Sequence, residues 1–196
     1  ATLLNDSARL SFDSLSLTSY IEAGNKILKI ETNEMEGNIT GRFKILELPG
    51  AFNVFLNRYY PSYFNKPAYD IGDQDFSFYI KTKQVDEYVR LLDNRLKGFD
   101  NSVFSGTLKM AKNEFNLKAI VPEFVFDGKK FENIDLAATG NLDSLNTNIS
   151  VSEIAISDSL RFPNTKLVFS SSNDISNIRL STSASKTLSD AQLNAQ

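Results

Sequence analysis

The sequence predicts a mainly β protein: a curled antiparallel sheet of repeated strands with two short amphipathic helices. Three observations carry that prediction. Apolar and polar residues alternate with period two along most of the 196 residues; Asn, Asp, Ser and Gly interrupt the alternation at short intervals; and the last third of the chain repeats itself. Phe131-Glu132-Asn133-Ile134-Asp135-Leu136 returns as Phe162-Pro163-Asn164-Thr165-Lys166-Leu167, an offset of 31 residues, which also pairs Asp143 with Asp174, Asn146 with Asn177 and Ser150 with Ser181. A repeat of that length stacks one small unit on the next, each giving its neighbour an apolar face it could not bury alone.

Taken in order, Leu10-Ser11-Phe12, Leu15-Ser16-Leu17, Ile27 to Ile30 and Ile39 to Ile45 read as strands with one wet and one apolar face. After Pro49, which suits a first helical turn, Phe52, Phe55, Leu56 and Tyr59 form the stripe of a short helix ended by Pro61. The loop from Tyr59 to Pro67 is too aromatic to sit idle in water and is expected to pack on an edge or end of the sheet. Phe76 to Ile80 is a strand. A second helix is expected on Val85, Tyr88, Val89, Leu92 and Leu96, with Gly98 placed to stop it.

From Val103 the strands barely pause: Phe104 to Met110, Phe115 to Val121, Phe124 to Phe126, Ile134 to Ala138, Ile149 to Val151, Ile154 to Ile156, Leu167 to Phe169 and Ile178 to Leu180. Turns are expected at Lys112-Asn113, Asp127-Gly128 and Asp158-Ser159. The stretch from Ser185 to Leu193 looks like a strand without its successor, so residues 1–196 read as one segment of a repeat array within a longer chain. Its parts are N-terminal strands over 1–48, a helix, aromatic loop, strand and helix over 49–100, and a β-meander over 101–196.

Composition narrows the function classes. The 21 basic residues are scattered and the net charge is −3, which argues against a nucleic-acid footprint. With no Cys, disulfides and thiolate chemistry are excluded, and with no His so are the Ser-His-Asp arrangement and His-ligated metals. No apolar run approaches eighteen residues. No enzyme activity and no cofactor are expected.

Counting faces exposes a deficit. More than eight strands each offer an apolar face, whereas a helix about 10 Å across covers roughly two strands at about 4.8 Å spacing. The remainder must be covered by a second layer, as in a closed β-sandwich, by curling of the sheet, or by an apolar ligand. In the curled reading, the lining of an apolar groove is Phe104, Leu108, Phe115, Leu117, Phe124, Phe126, Ile149, Val151, Ile154, Ile156, Leu167, Phe169, Ile178 and Leu180. In a sandwich the same residues are core, because buried alternation is identical in both.

Ile39-Thr40-Gly41-Arg42-Phe43, Phe104-Ser105-Gly106-Thr107-Leu108 and the units built on Phe131-x-Asn133 and Phe162-x-Asn164 resemble the AsmA-like repeats of the TamB family in Bacteroidota-type form. The resemblance runs from about Leu10 to Leu180 and lies in the order of soft motifs rather than in any one of them. It implies a β-taco, a long sheet folded lengthwise around an apolar lumen, in a large periplasmic protein anchored in the inner membrane of a diderm envelope. It implies phospholipid or other apolar cargo, and an Omp85-type outer-membrane partner engaged through regions outside this segment. It implies no catalytic residue. Exposing two acyl chains of about sixteen carbons to water costs roughly 25 kcal/mol, so a continuous apolar trough would remove most of a transfer barrier.

Two alternatives stand beside this expectation: a closed β-sandwich for adhesion or glycan binding, and a sheet edge near Ser181 or Ser183 that captures unfolded strands. Weaker signals are read conservatively. Asp70, Asp73 and Asp75 around Gly72 depart from the spacing of a calcium loop and fit a solvated turn. Glu87, Asp93 and Asp100 have no spacing that defines a glycosidase pair. Gly41 and Gly106 are expected to mark bulges, bends or close backbone approaches. Asn5-x-Ser7, Asn38-x-Thr40 and Asn148-x-Ser150 match a glycosylation pattern that polar strand faces produce by chance. Lys97, Lys109, Lys112, Lys118, Lys129 and Lys130 read as a wet face rather than a headgroup contact.

Overall fold

A computed structural model describes residues 2–5, 8–11, 14–184 and 187–195. Of the sequence expectations, Ser7, Phe12, Ser185 and Lys186 lie outside the described residues. The first two strands, β1 (Thr2–Asn5) and β2 (Ala8–Ser11), form a separate hairpin. The others are β3 (Leu15–Glu22), β4 (Asn25–Thr32), β5 (Met35–Arg42), β6 (Asp75–Thr82), β7 (Leu96–Gly98), β8 (Val103–Lys109), β9 (Glu114–Phe126), β10 (Lys129–Gly140), β11 (Leu145–Ala155), β12 (Arg161–Ser172), β13 (Ile175–Ala184) and β14 (Thr187–Ala195). Eleven of these make one open antiparallel sheet from β3 to β14, each strand beside its chain neighbour except that β7 leaves the path to pair with β9. The β1–β2 hairpin is the only other sheet among the described residues, and the large sheet is not closed into a barrel.

Local chemistry explains the meander. Ala23-Gly24, Asp127-Gly128 and Asn173-Asp174 take positive φ at both positions, the geometry of tight turns whose twist matches the strands they join. The 31-residue repeat is one hairpin long: β10–β11 maps onto β12–β13, which is why the offset superposes Asp143 and Asp174, both in turns.

Three expectations are corrected. Phe115 to Phe126 is a single strand, β9, and Ile149 to Ala155 belongs to a single strand, β11. The strand predicted through Ile45 stops at Arg42, because Lys44 N–H donates to the Gln74 side chain (2.8 Å) and the chain turns into a 3-10 helix at Ile45–Glu47. The second helix, α2 (Asp86–Leu92), follows α1 (Leu48–Leu56) in chain order but ends before Leu96; Asp93 is already extended, and Leu96 and Gly98 are β7, paired with Phe126 and Phe124.

α1 starts with Pro49 in its first turn and lies across one end of the sheet. Phe52 meets Phe76 and Phe115 edge-on at 6.1 and 6.3 Å, and Phe55 reaches Phe115 at 5.1 Å. Gly140 makes the contact possible, since a Cβ there would sit 2.6 Å from the Phe55 ring. Gly41, at φ +141, lies so close to β6 that a Cβ would meet the Asp75 carbonyl at 2.2 Å, a close approach of the kind expected for it.

Candidate functional site

Register decides which side chains share a face. One row crosses the sheet from β3 to β13 through Leu17, Ile30, Gly37, Ile80, Phe104, Ala119, Leu136, Ile149, Leu167 and Leu180. Another joins Leu28, Ile39, Phe78, Gly106, Leu117, Ala138, Thr147, Phe169 and Ile178. The neighbouring row on the opposite face takes in Ile27 and then reads Thr40, Ser77, Thr107, Asn116, Thr139, Asn146, Ser170 and Asn177, all polar. One face is therefore mainly apolar, interrupted at Thr147, and the other mainly polar, with Ile27, Tyr79, Ile120 and Val168 as apolar exceptions.

The apolar face continues past a crease. Val121, Ile134 and Val151 are inward and buried, yet three residues along each strand Phe124, Phe131 and Ile154 pack on the same cluster, where strict alternation would put them outside. On β10 the flip occurs at Asn133 and on β12 at Asn164, both at φ +48, an αL conformation that Asn tolerates better than most residues. Beyond the crease Phe124 stacks on Phe131 at 4.5 Å and on Phe99 at 5.0 Å. The repeated Phe-x-Asn motif thus places an inward ring just beyond a turn of the backbone. Asn133 Nδ2 donates to Ser152 Oγ (2.9 Å), which donates to the Glu132 carbonyl (2.9 Å), tying the crease across β10 and β11.

Burial grades across the face. Leu108 is fully buried, and Phe115 nearly so, beneath α1. Leu117 packs against that cluster; Phe104, Phe124, Ile149 and Ile154 pack with Val151 in the creased cluster. Toward the edges cover runs out: Leu167, Phe169 and Ile178 are half-buried, Leu180 is 38% exposed, and on β3 Leu17 and Ile21 are 65% and 77% exposed. Phe126 and Ile156 fall outside both clusters, Phe126 under the Arg95 guanidinium at 4.8 Å and Ile156 in the bend after β11. Ser181 and Ser183 are not at an edge, since they pair with Asp190 and Leu188 of β14; the free edge at the other side is β3.

The aromatic loop closes one end. Tyr59 Oη donates to the Asn141 carbonyl, Asp174 N–H donates to the Tyr59 carbonyl (2.7 Å), and Tyr60 Oη lies 2.5 Å from Ser171 Oγ. Burial pushes the Tyr59 phenol above its ordinary range. Between this loop and β12–β13 is a cleft of about 410 Å³, lined by Tyr60, Tyr63, Phe64, Phe169, Ile178, Ser176 and Asp174. The loop and Asp174 are site residues that sequence reading did not assign; the signal was the aromatic density of Tyr59 to Phe64.

Several other ionisable groups are held in ion pairs or by backbone hydrogen bonds. Arg42 lies near Asp73 and Asp75 (3.6 and 3.4 Å), and Asp73 also accepts the Ala111 N–H. Asp100 accepts the Val85 N–H at 2.7 Å. The Arg95 guanidinium and backbone N–H hold Asp93 down to about 2. Lys109, Lys129 and Lys130 pair with Glu114, Asp127, and Glu123 with Glu132, respectively. Among the described residues no group of three acidic side chains is placed to hold a metal ion. Comparison with protein-family models, curated proteins and solved structures finds no match for the chain.

Proposed function

We propose that this chain is a segment of a TamB-like envelope protein that shields the acyl chains of phospholipid, or similar apolar cargo, in a trough on its path between inner and outer membrane. In this reading it is periplasmic, non-catalytic and continuous with further repeats, and an Omp85-type protein engages the parent elsewhere. The observation that carries the reading is the uncovered apolar face. Eleven strands span about 48 Å at their usual spacing, while the nine residues of α1 reach only about 14 Å. What α1 leaves open is a band from Ile149 through Leu167 to Leu180 and from Ile30 to Leu17, apolar and increasingly exposed. A monomeric sheet that left such a band to water would aggregate, and an acyl chain laid along it recovers about 0.8 kcal/mol per methylene.

The test is native mass spectrometry with lipid extraction of the purified chain. Co-purified phospholipid is expected; repeated absence, with the inward face protected from solvent, contradicts the reading.

The free edge supports a second reading, strand capture. β3 keeps eight residues in unbroken register with β4 and contains no Lys, Arg or Pro, the usual guards of an edge. Photocrosslinkers at Ser16 and Thr18 are expected to trap extended peptides if that edge accepts strands, and to be quenched by water if it does not.

A further inference from the structure

The cleft beneath the aromatic loop differs from the rest of the trough in carrying a charge. Its walls are Tyr60, Tyr63 and Phe64 from the loop and Phe169 and Ile178 from the sheet, and its one ionised lining group is Asp174. That carboxylate accepts hydrogen bonds from the Ser62 N–H (3.3 Å) and Oγ–H (2.8 Å), which fix its place and leave lone pairs on both oxygens. Among the described residues no Lys or Arg pairs with it. Tyr63 is 78% exposed, so the wall it supplies is open to solvent.

We propose that this cleft binds an amphiphile bearing an ammonium group, with the cation between Asp174 and the loop tyrosines and the aliphatic chain over Phe169 and Ile178. Three features select that chemistry. Aromatic faces attract a cation through their quadrupole, the uncompensated carboxylate complements its charge, and the paired Phe169 and Ile178 give the aliphatic chain an apolar floor. An anionic headgroup would meet Asp174 unfavourably, and a neutral one would gain only the floor. The inference rests on the trough reading above and adds a headgroup preference to it.

The experiment titrates the intact 196-residue chain calorimetrically with decyltrimethylammonium, decyl maltoside and decyl sulfate, each below its micellar concentration. The cationic probe is expected to bind about five- to thirty-fold tighter than the maltoside. Asp174→Asn is expected to remove most of that ratio, while Ser62→Ala, which keeps the charge, preserves it. Should Asp174→Asn unfold the loop, Tyr63→Ala on the exposed wall serves instead, with a several-fold loss expected for the cation alone. Equal affinity for cationic and neutral probes, or a preference that survives in folded Asp174→Asn or, where that variant unfolds the loop, in Tyr63→Ala, overturns the headgroup proposal and leaves the trough standing. Failure of all three probes to bind overturns both.

Discussion

Asn133 and Asn164 each sit where the inward set of side chains changes parity, and both adopt φ +48. A β-branched residue there meets the steric penalty of the left-handed region, so Asn133→Val is expected to lower unfolding free energy by about 1–2 kcal/mol. Asn133→Gly should change it by less than about 0.5 kcal/mol, and urea unfolding of the pair separates backbone strain from the loss of the Ser152 hydrogen bond. Gly140 is a second such position: Gly140→Val drives a side chain into the Phe55 ring, at an expected cost of about 2–3 kcal/mol. At Asp93 the consequence is a pH dependence. Arg95 lowers its carboxyl from 3.8 to about 2, so the folded state binds the proton less readily than the unfolded chain. The resulting stability is fully present above pH of about 4 and is lost as pH falls toward the folded value. An NMR titration of Asp93 should give a midpoint near 2 in wild type, rising toward 3.8 in Arg95→Ala; a wild-type midpoint near 3.8 contradicts the pairing.

At the scale of elements, α1 is held by aromatic packing rather than by capping, since its N-cap Glu47 makes no side-chain cap. Phe55→Ala is therefore expected to cost about 3–5 kcal/mol and to increase binding of a hydrophobic dye as the Phe115 end of the sheet loses cover. The helix itself was legible in the sequence because Phe52, Phe55, Leu56 and Tyr59 keep a helical period over a Pro start. α2 was legible only to Leu92. Leu96 continues the same spacing, and nothing local reveals that its backbone pairs with Phe126, thirty residues on. The strands were legible for the opposite reason: period-two alternation marks each strand between Leu15 and Leu180 apart from the crease, and register turns it into two faces. What alternation could not reveal is the crease. Phe-x-Asn was visible as a repeat, but its meaning depends on a positive φ, and β9 and β11 make the same three-residue step at Pro122-Glu123 and Ser152-Glu153 with no Asn to announce it.

For the whole molecule, what matters is that an open sheet carries a mainly apolar face from β3 to β13 while α1 and the aromatic loop cover one end of it. The aromatic loop was foreseeable as a packed segment; its partners Ser171 and Asp174 lie more than 100 residues away in sequence, beyond the reach of any local pattern. The account turns on whether acyl chains lie against the inward rows and not the outward ones. Adjacent residues on β12 offer the sharpest comparison, because Leu167 is inward and Val168 outward on the same backbone. A photocrosslinking residue placed at each position in turn, in protein expressed in a diderm host, reads contact with phospholipid directly. The account predicts lipid adducts at Leu167 and only background at Val168; equal labelling at both positions, or none at Leu167, would contradict it.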